Sequence, residues 1–302
     1  MKAVVLHEYG GPDKLKYEDV DDPVAGEGEV LVRLAATSIN PIDYKMRSGA
    51  AKEHFPVTFP GILGRDIAGL VRALGPGVSG FAPGDKVMAL GRAAYAELAV
   101  VKAEDLTLVP EGLDLVEAAA LPLVTLTGEQ LVTRGTGIKS GETILVSGAV
   151  GSVGRSAVWT AKKAGATVIA GVRKNQVQEA KSLGADEVIA LDDTSAMEKL
   201  GFVDAVADTV GGKTAEALIG KVKQGGVFAS VLGPPGNAKM NPTVHVKPVG
   251  VVPDAKKLRE LAEDVAAKRF TILIDRMIPL KDAGEGQAAA EKGGIGKILL
   301  LA

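Results

Sequence analysis

From about Pro122 the chain alternates short apolar strands with helical stretches, and no other feature limits its fold so tightly. "ETILVSG" reads as a strand and "SVGRSAVWTAKKAG" as a helix. "ATVIAGV", "NQVQEAKSLGA", "DEVIA", "SAMEKL", "VDAVADTV", "KTAEALIGKVKQ" and "GVFASVLG" continue the alternation. Apolar strands bounded by glycine and spaced by roughly 10 to 15 helical residues predict βαβ units and a parallel sheet. Before Leu121 the texture differs: "EVLVRLAAT", "DIAGLVRAL", "DKVMAL" and "YAELAVV" are brief strand-like runs punctuated by "GP", "PG" and "APGD" turns. That texture predicts a mostly β domain. "PDAKKLRELAEDVAAKRF" predicts an amphipathic helix, and the tail through "GKILLLA" returns to the first texture. The expected architecture is α/β. A mostly β domain takes residues 1–121 with 270–302, and a Rossmann-type doubly wound parallel sheet takes 122–269.

Within that alternation the strand "TILVSG" runs into "GAVGSVG" and then a helix, with Gly148, Gly151 and Gly154 three residues apart. Such a turn lets the backbone approach a pyrophosphate at a helix N-terminus and lets the helix pack closely on the strand. The chain holds 38 glycines, about 13% against roughly 7% in average usage, so the spacing alone is weak. Its place in a strand–turn–helix unit gives it weight. Gly148, Ala149, Val150, Gly151, Ser152, Val153 and Gly154 are therefore the expected dinucleotide cradle. The second strand ends in Arg173-Lys174-Asn175, where NAD-binding versions place a carboxylate on the ribose. A guanidinium there can bind a 2′-phosphate through two hydrogen bonds, so Arg173 and Lys174 point to NADPH. A solvated basic turn is the plain alternative.

Composition narrows the chemistry. The chain has no cysteine, which excludes disulfides, thiolate nucleophiles and cysteine-built zinc sites. His7, His54 and His245 are far apart and show no metal-binding spacing. The formal charge is −2 with no basic stripe, so no nucleic-acid partner is expected. No apolar run approaches the ~18 residues of a membrane helix. His7 and Glu8 interrupt "MKAVVLHEYG" too early for a signal peptide, making a cytoplasmic protein the default expectation.

One further stretch draws attention, "SINPIDYKMRSG", where Asn40, Tyr44 and Lys45 could each donate a hydrogen bond to a reacting oxygen. Asp43 is expected to cap the short helix that follows. Arg65 and Asp66, in "GRDIAG", are expected to form a structural ion pair, with each other or with neighbours.

Taken together, these residues resemble the medium-chain dehydrogenase/reductase superfamily, in its zinc-independent quinone oxidoreductase and alkenal/enone reductase branch. The resemblance covers essentially the whole chain. It rests on "MKAVVLHEYGGPD", "INPIDYKMRSG", "FPGILGRDIAGLVRALGPGVSGFAPGDKVMAL", "ALPLVTLTGEQ", "VSGAVGSVG", "DTVGG" and "EKGGIGKILL". It implies a GroES-like first domain and NADPH-dependent hydride transfer to a small electrophile, a quinone or an α,β-unsaturated carbonyl. It also implies that Thr127, Val231, Leu232 and Gly233 border the nicotinamide, and that Asn40 and Lys45, less directly Tyr44, stabilise a substrate oxyanion. In the superfamily's zinc alcohol dehydrogenases a Cys stands at the position of Asn40 and a His at that of Arg65, so no metal is expected. Reduction of an activated C=C needs only a placed hydride and modest help for the enolate oxygen. Enoyl-thioester reduction, or NADPH binding by a sensor or structural protein, are the rival expectations. The segment "VHVKPVGVV" is a candidate homodimer edge by the same resemblance.

Overall fold

The structure, a computed structural model, describes residues 1–294 and 296–302, and the chain divides into two units. One comprises Met1–Leu123 with Val252–Ala302, the other Val124–Val251.

The second unit is built on a six-stranded sheet ordered Glu187–Ala190, Thr167–Val172, Thr143–Ser147, Val203–Asp208, Val222–Ser230 and His245–Pro248, all pairs parallel. The strand order reverses between Thr143–Ser147 and Val203–Asp208. Open parallel sheets bind ligands at such a switch point, outside the carboxyl ends of the strands. Both faces are covered. Ile144 and Val146 enter one apolar cluster with Ala157, Ala161 and Val168, while Leu145 enters another with Val206, Leu218 and Phe228. That alternation on a buried strand is why its sequence reads as continuously apolar. This is the doubly wound sheet expected from the βαβ pattern. The helix read across "KTAEALIGKVKQ" stops at Ile219, however, and Val222 already pairs with Val203. Gly220 ends the helix, and the β-branched Val222 suits the strand that follows.

The first unit holds a seven-stranded sheet and a three-stranded one. In the larger, Glu29–Ser38 pairs antiparallel with Asp66–Leu74, Leu98–Lys102 and Lys297–Leu301. The tail thus rejoins the first texture through Leu299 opposite Ser38. The domain limits differ from the sequence expectation. The helix Ala255–Ala266 belongs to the first unit, not to a second domain running to residue 269. Its inward face carries Leu258, Leu261 and Ala262, and Arg259 Nη1 donates to Leu108 O at 3.0 Å. Amphipathic spacing shows that such a helix has a buried face without showing which core receives it. Among the described residues no helix is long and apolar enough to cross a membrane.

Candidate functional site

The glycine turn sits at the carboxyl end of Thr143–Ser147, beside the reversal in strand order. Gly148 has φ +68°, a conformation L side chains rarely adopt. A Cβ at Gly154 would lie 2.2 Å from Gly148 O, so only glycine lets the helix Ser152–Lys163 start this close to the strand. The first-turn N–H groups of that helix are the donors a pyrophosphate requires. Thr127 is buried on the helix Pro122–Gln130. Its neighbour Gly128 abuts Val153 O and Ser156, and Ser156 Oγ donates to Thr125 O at 2.8 Å. The helix after the turn and the helix carrying Thr127 are therefore in direct contact.

Val231, Leu232 and Gly233 follow the strand Val222–Ser230 at the same edge of the sheet. Arg173 and Lys174 lie at the carboxyl end of Thr167–Val172, both exposed. Lys174 is already engaged: its N–H donates to Asp192 Oδ1 at 2.7 Å and its ammonium pairs with Asp193 at 3.3 Å. Arg173 makes no ion pair among the described residues, which leaves its guanidinium available to an anion. The glycine turn, Arg173, Lys174 and Val231–Gly233 thus all follow the carboxyl ends of strands of this sheet, while Thr127 lies on a separate helix.

Sequence reasoning passed over what ties that edge together. Ser147, Asp208 and Ser230, each the last residue of its strand, are buried. Asp208 accepts from Ser147 Oγ and Ser230 Oγ, each at 2.7 Å, and from the N–H groups of Val210 and Gly211. The available signal was a polar residue closing each of three apolar strands.

In the first unit, the stretch read as a donor-rich site has two faces. Its helix spans Pro41–Ser48, with Asn40 at the N-cap and Asp43 Oδ2 accepting from the Asn40 N–H at 2.8 Å. Tyr44 and Lys45 are partly exposed, and neither side chain forms a hydrogen bond among the described residues. Burial, with Glu291 and Asp43 nearby, raises the Tyr44 pKa and keeps its phenol a proton donor.

Asn40 differs from the sequence expectation. It is wholly buried and both ends of its amide are committed: Lys297 Nζ donates to Oδ1 at 2.6 Å, and Nδ2 donates to Asp66 Oδ2 at 2.7 Å. Nδ2 also lies 3.4 Å from Ser38 O and Ser38 Oγ, so both its N–H groups face the protein interior. Of the two expected pairings, Arg65 and Asp66 do not meet each other, and the structural ion pair is the one Asp66 makes with a neighbour, Lys297. Adjacent residues of an extended chain point apart, and Arg65 Nε reaches toward Gly91 O at 3.4 Å. Asp66 instead takes hydrogen bonds from Ser38, Asn40 and the Leu123 N–H, with the Lys297 ammonium 3.7 Å away.

This makes a buried charged cluster of Asp43, Asp66 and Lys297. Burial, aided by the Asp66 charge, lifts the Asp43 carboxyl to about 7. The N–H of Asn40 and the Lys297 charge oppose that rise. Asp43 Oδ2 also accepts from the buried Tyr95 hydroxyl at 3.0 Å, while Oδ1 has no hydrogen-bond partner. Burial lowers the Lys297 pKa, against the pull of both carboxylates.

A doubly wound sheet with a glycine cradle at its switch point defines the class, a dinucleotide-binding fold. Comparison with known proteins narrows it. Residues 26–111 match the alcohol dehydrogenase GroES-like domain, and residues 183–300 match the zinc-binding dehydrogenase family. The chain is 32% identical to the chloroplast envelope quinone oxidoreductase homolog of Arabidopsis thaliana, over 99% of this chain and 98% of the relative. It is 34% identical to 2-methylene-furan-3-one reductase of Solanum lycopersicum, over 78% of this chain and 64% of the relative. The crystal structure of Escherichia coli quinone oxidoreductase complexed with NADPH superposes with a TM-score of 0.87 at 27% identity, covering 100% of both chains. The chain belongs to the medium-chain dehydrogenase/reductase superfamily, in its quinone oxidoreductase branch, and is an oxidoreductase of that family.

The family description mentions zinc, and the donor set here does not fit it. There is no cysteine, and the amide of Asn40 is engaged on both sides. Among the described residues no group of three His, Asp or Glu side chains could hold a metal ion.

Proposed function

We propose that the protein is a zinc-independent, NADPH-dependent reductase of quinones or of the activated C=C of α,β-unsaturated carbonyls. The observation that carries the reading is the Gly148–Gly154 cradle together with an unpaired Arg173 at the next strand's end. The quinone oxidoreductase and furanone reductase relatives support the two substrate classes, and the NADPH complex of the E. coli protein supports the cofactor.

Bound NADPH supplies a hydride to the electrophilic carbon. N–H groups opening the helix Ser152–Lys163 receive the pyrophosphate, and Arg173 receives the 2′-phosphate through two charge-assisted bonds. Lys45 donates to the substrate oxygen as charge develops there, with Tyr44 as a second donor that stays protonated because its pKa is raised. Asn40 takes a different part from the one its position suggests, holding the start of the helix that bears them. The open edge of His245–Pro248 supports addition of a second copy; sedimentation as a monomer at micromolar concentration would count against it.

The test is a panel of quinones, alkenals, enones and enoyl thioesters scored by NADPH oxidation. Turnover of a quinone or an enone is expected. Exclusive turnover of thioesters, or binding of NADPH with no turnover at all, would overturn the proposal. Arg173→Ala should lower the ratio of NADPH to NADH affinity about tenfold or more, and an unchanged ratio would remove the cofactor assignment.

A further inference from the structure

The proposed cofactor site has two ends on the same sheet edge, the glycine turn for the pyrophosphate and Val231–Gly233 for the nicotinamide. Between them in strand order lies Val203–Asp208, whose last residue meets the second end through its backbone, Val231 N–H donating to Asp208 O at 3.2 Å. Asp208 is wholly buried, yet its carboxylate is met by donors on every side. Ser147 Oγ and Ser230 Oγ donate at 2.7 Å each, and the N–H groups of Val210 and Gly211 donate at 3.1 Å.

Each serine hydroxyl also accepts. Ser147 Oγ takes the Thr209 N–H at 3.0 Å, and Ser230 Oγ takes the Leu232 N–H at 3.0 Å. Thr209 Oγ1 in turn donates to Ser147 O at 2.7 Å, and it lies 2.5 Å from where a Cβ on Gly148 would stand. Hydrogen bonds therefore run from Leu232 through Ser230 to Asp208, and from Thr209 through Ser147 to the same carboxylate. Every group facing Asp208 is a donor. A carboxylate satisfies them all, whereas an amide would turn an NH2 group toward one of them. A buried carboxylate costs free energy unless it is fully bonded, and here the bonds fall on the two segments the cofactor needs.

We infer that Asp208 is a positioning residue that sets the glycine turn and the Val231–Gly233 segment relative to each other through Ser147 and Ser230. The inference rests on the reading that these segments hold the two ends of NADPH. Loss of one link should misplace one end of the cofactor. Ser147→Ala loosens the pyrophosphate end, and Ser230→Ala loosens the nicotinamide end.

The experiment measures NADPH Kd by fluorescence, and kcat and KM on a quinone or enone that the wild type turns over. Ser147→Ala should raise the NADPH Kd about fivefold to tenfold while most of kcat survives at saturating cofactor. Ser230→Ala should lower kcat about tenfold while the Kd stays within about threefold. Asp208→Asn should do both. If it does not fold, the two serine variants decide. Kd and kcat values like wild type in both serine variants would overturn the inference, as would parallel losses that merely follow a fall in thermal stability. Failure of the wild type to bind NADPH would instead remove the functional reading beneath it.

Discussion

The two units bury carboxylates in opposite ways. Asp208 is surrounded by neutral donors, two hydroxyls and two backbone N–H groups, and both its oxygens are bonded. Asp43 and Asp66 share their surroundings with one ammonium, that of Lys297, and Asp43 keeps an oxygen with no partner. The first arrangement spreads one charge over fixed dipoles. The second depends on a counter-ion and on where a proton resides. A site braced by the second kind should respond to changes of pH.

The largest expected effect comes from removing the counter-ion. Lys297→Met leaves Asp66 with its hydrogen bonds but no cation, and loss of one partner from a buried pair costs about 3–5 kcal/mol. Urea unfolding checks this, and a loss below about 1 kcal/mol would mean that the cluster is held by its hydrogen bonds alone.

Asp43 gives a test with a sign. Its pKa is raised from 3.8 to about 7 in the folded protein, so the folded state holds the proton over that interval while the unfolded state releases it. Stability from this group is complete below about 4 and lost as pH rises through about 7. Asp43→Asn keeps an acceptor for Asn40 N–H and Tyr95 and removes the titration. Its stability should fall less steeply between these pH values, by up to about 1.4 kcal/mol per pH unit. Lys297, whose lowered pKa acts in the opposite sense, is present in both proteins but loses the upward pull of the Asp43 charge in the variant. Identical slopes would contradict the account of Asp43.

The smallest effect on stability separates neighbours on one helix. Asn40→Ala should destabilise by about 1–3 kcal/mol, because Lys297 and Asp66 each lose a buried partner. Lys45→Ala should leave stability within about 0.5 kcal/mol and lower turnover instead. The reverse pattern would return Asn40 to the substrate.

The same contrast explains what could be read from the sequence. The glycine turn is legible because its demands are local: Gly148, Gly151 and Gly154 meet one another across a single turn. The parallel sheet is legible because burial on both faces leaves an uninterrupted apolar strand such as "TILVS". Asp208 left a trace in the polar residues ending three strands, but their convergence needs the strand order. The Lys297 cluster left none, because the contact with Asn40 joins residues 257 positions apart. Asn40 was legible as a special position and misread in role, since the groups that occupy its amide lie on distant strands. The helix Ala255–Ala266 was legible as a helix, while the unit that buries it was not.

The central claim is that the chain passes hydride from NADPH to an electrophilic carbon, and isotope transfer tests it most directly. With NADPH deuterated at the transferring C4 position and an enone or quinone that the enzyme turns over, single-turnover oxidation should slow by a primary isotope effect. For an enone, the deuterium should appear at the product's β-carbon. Enone product formed at an unchanged rate and free of deuterium would contradict the account.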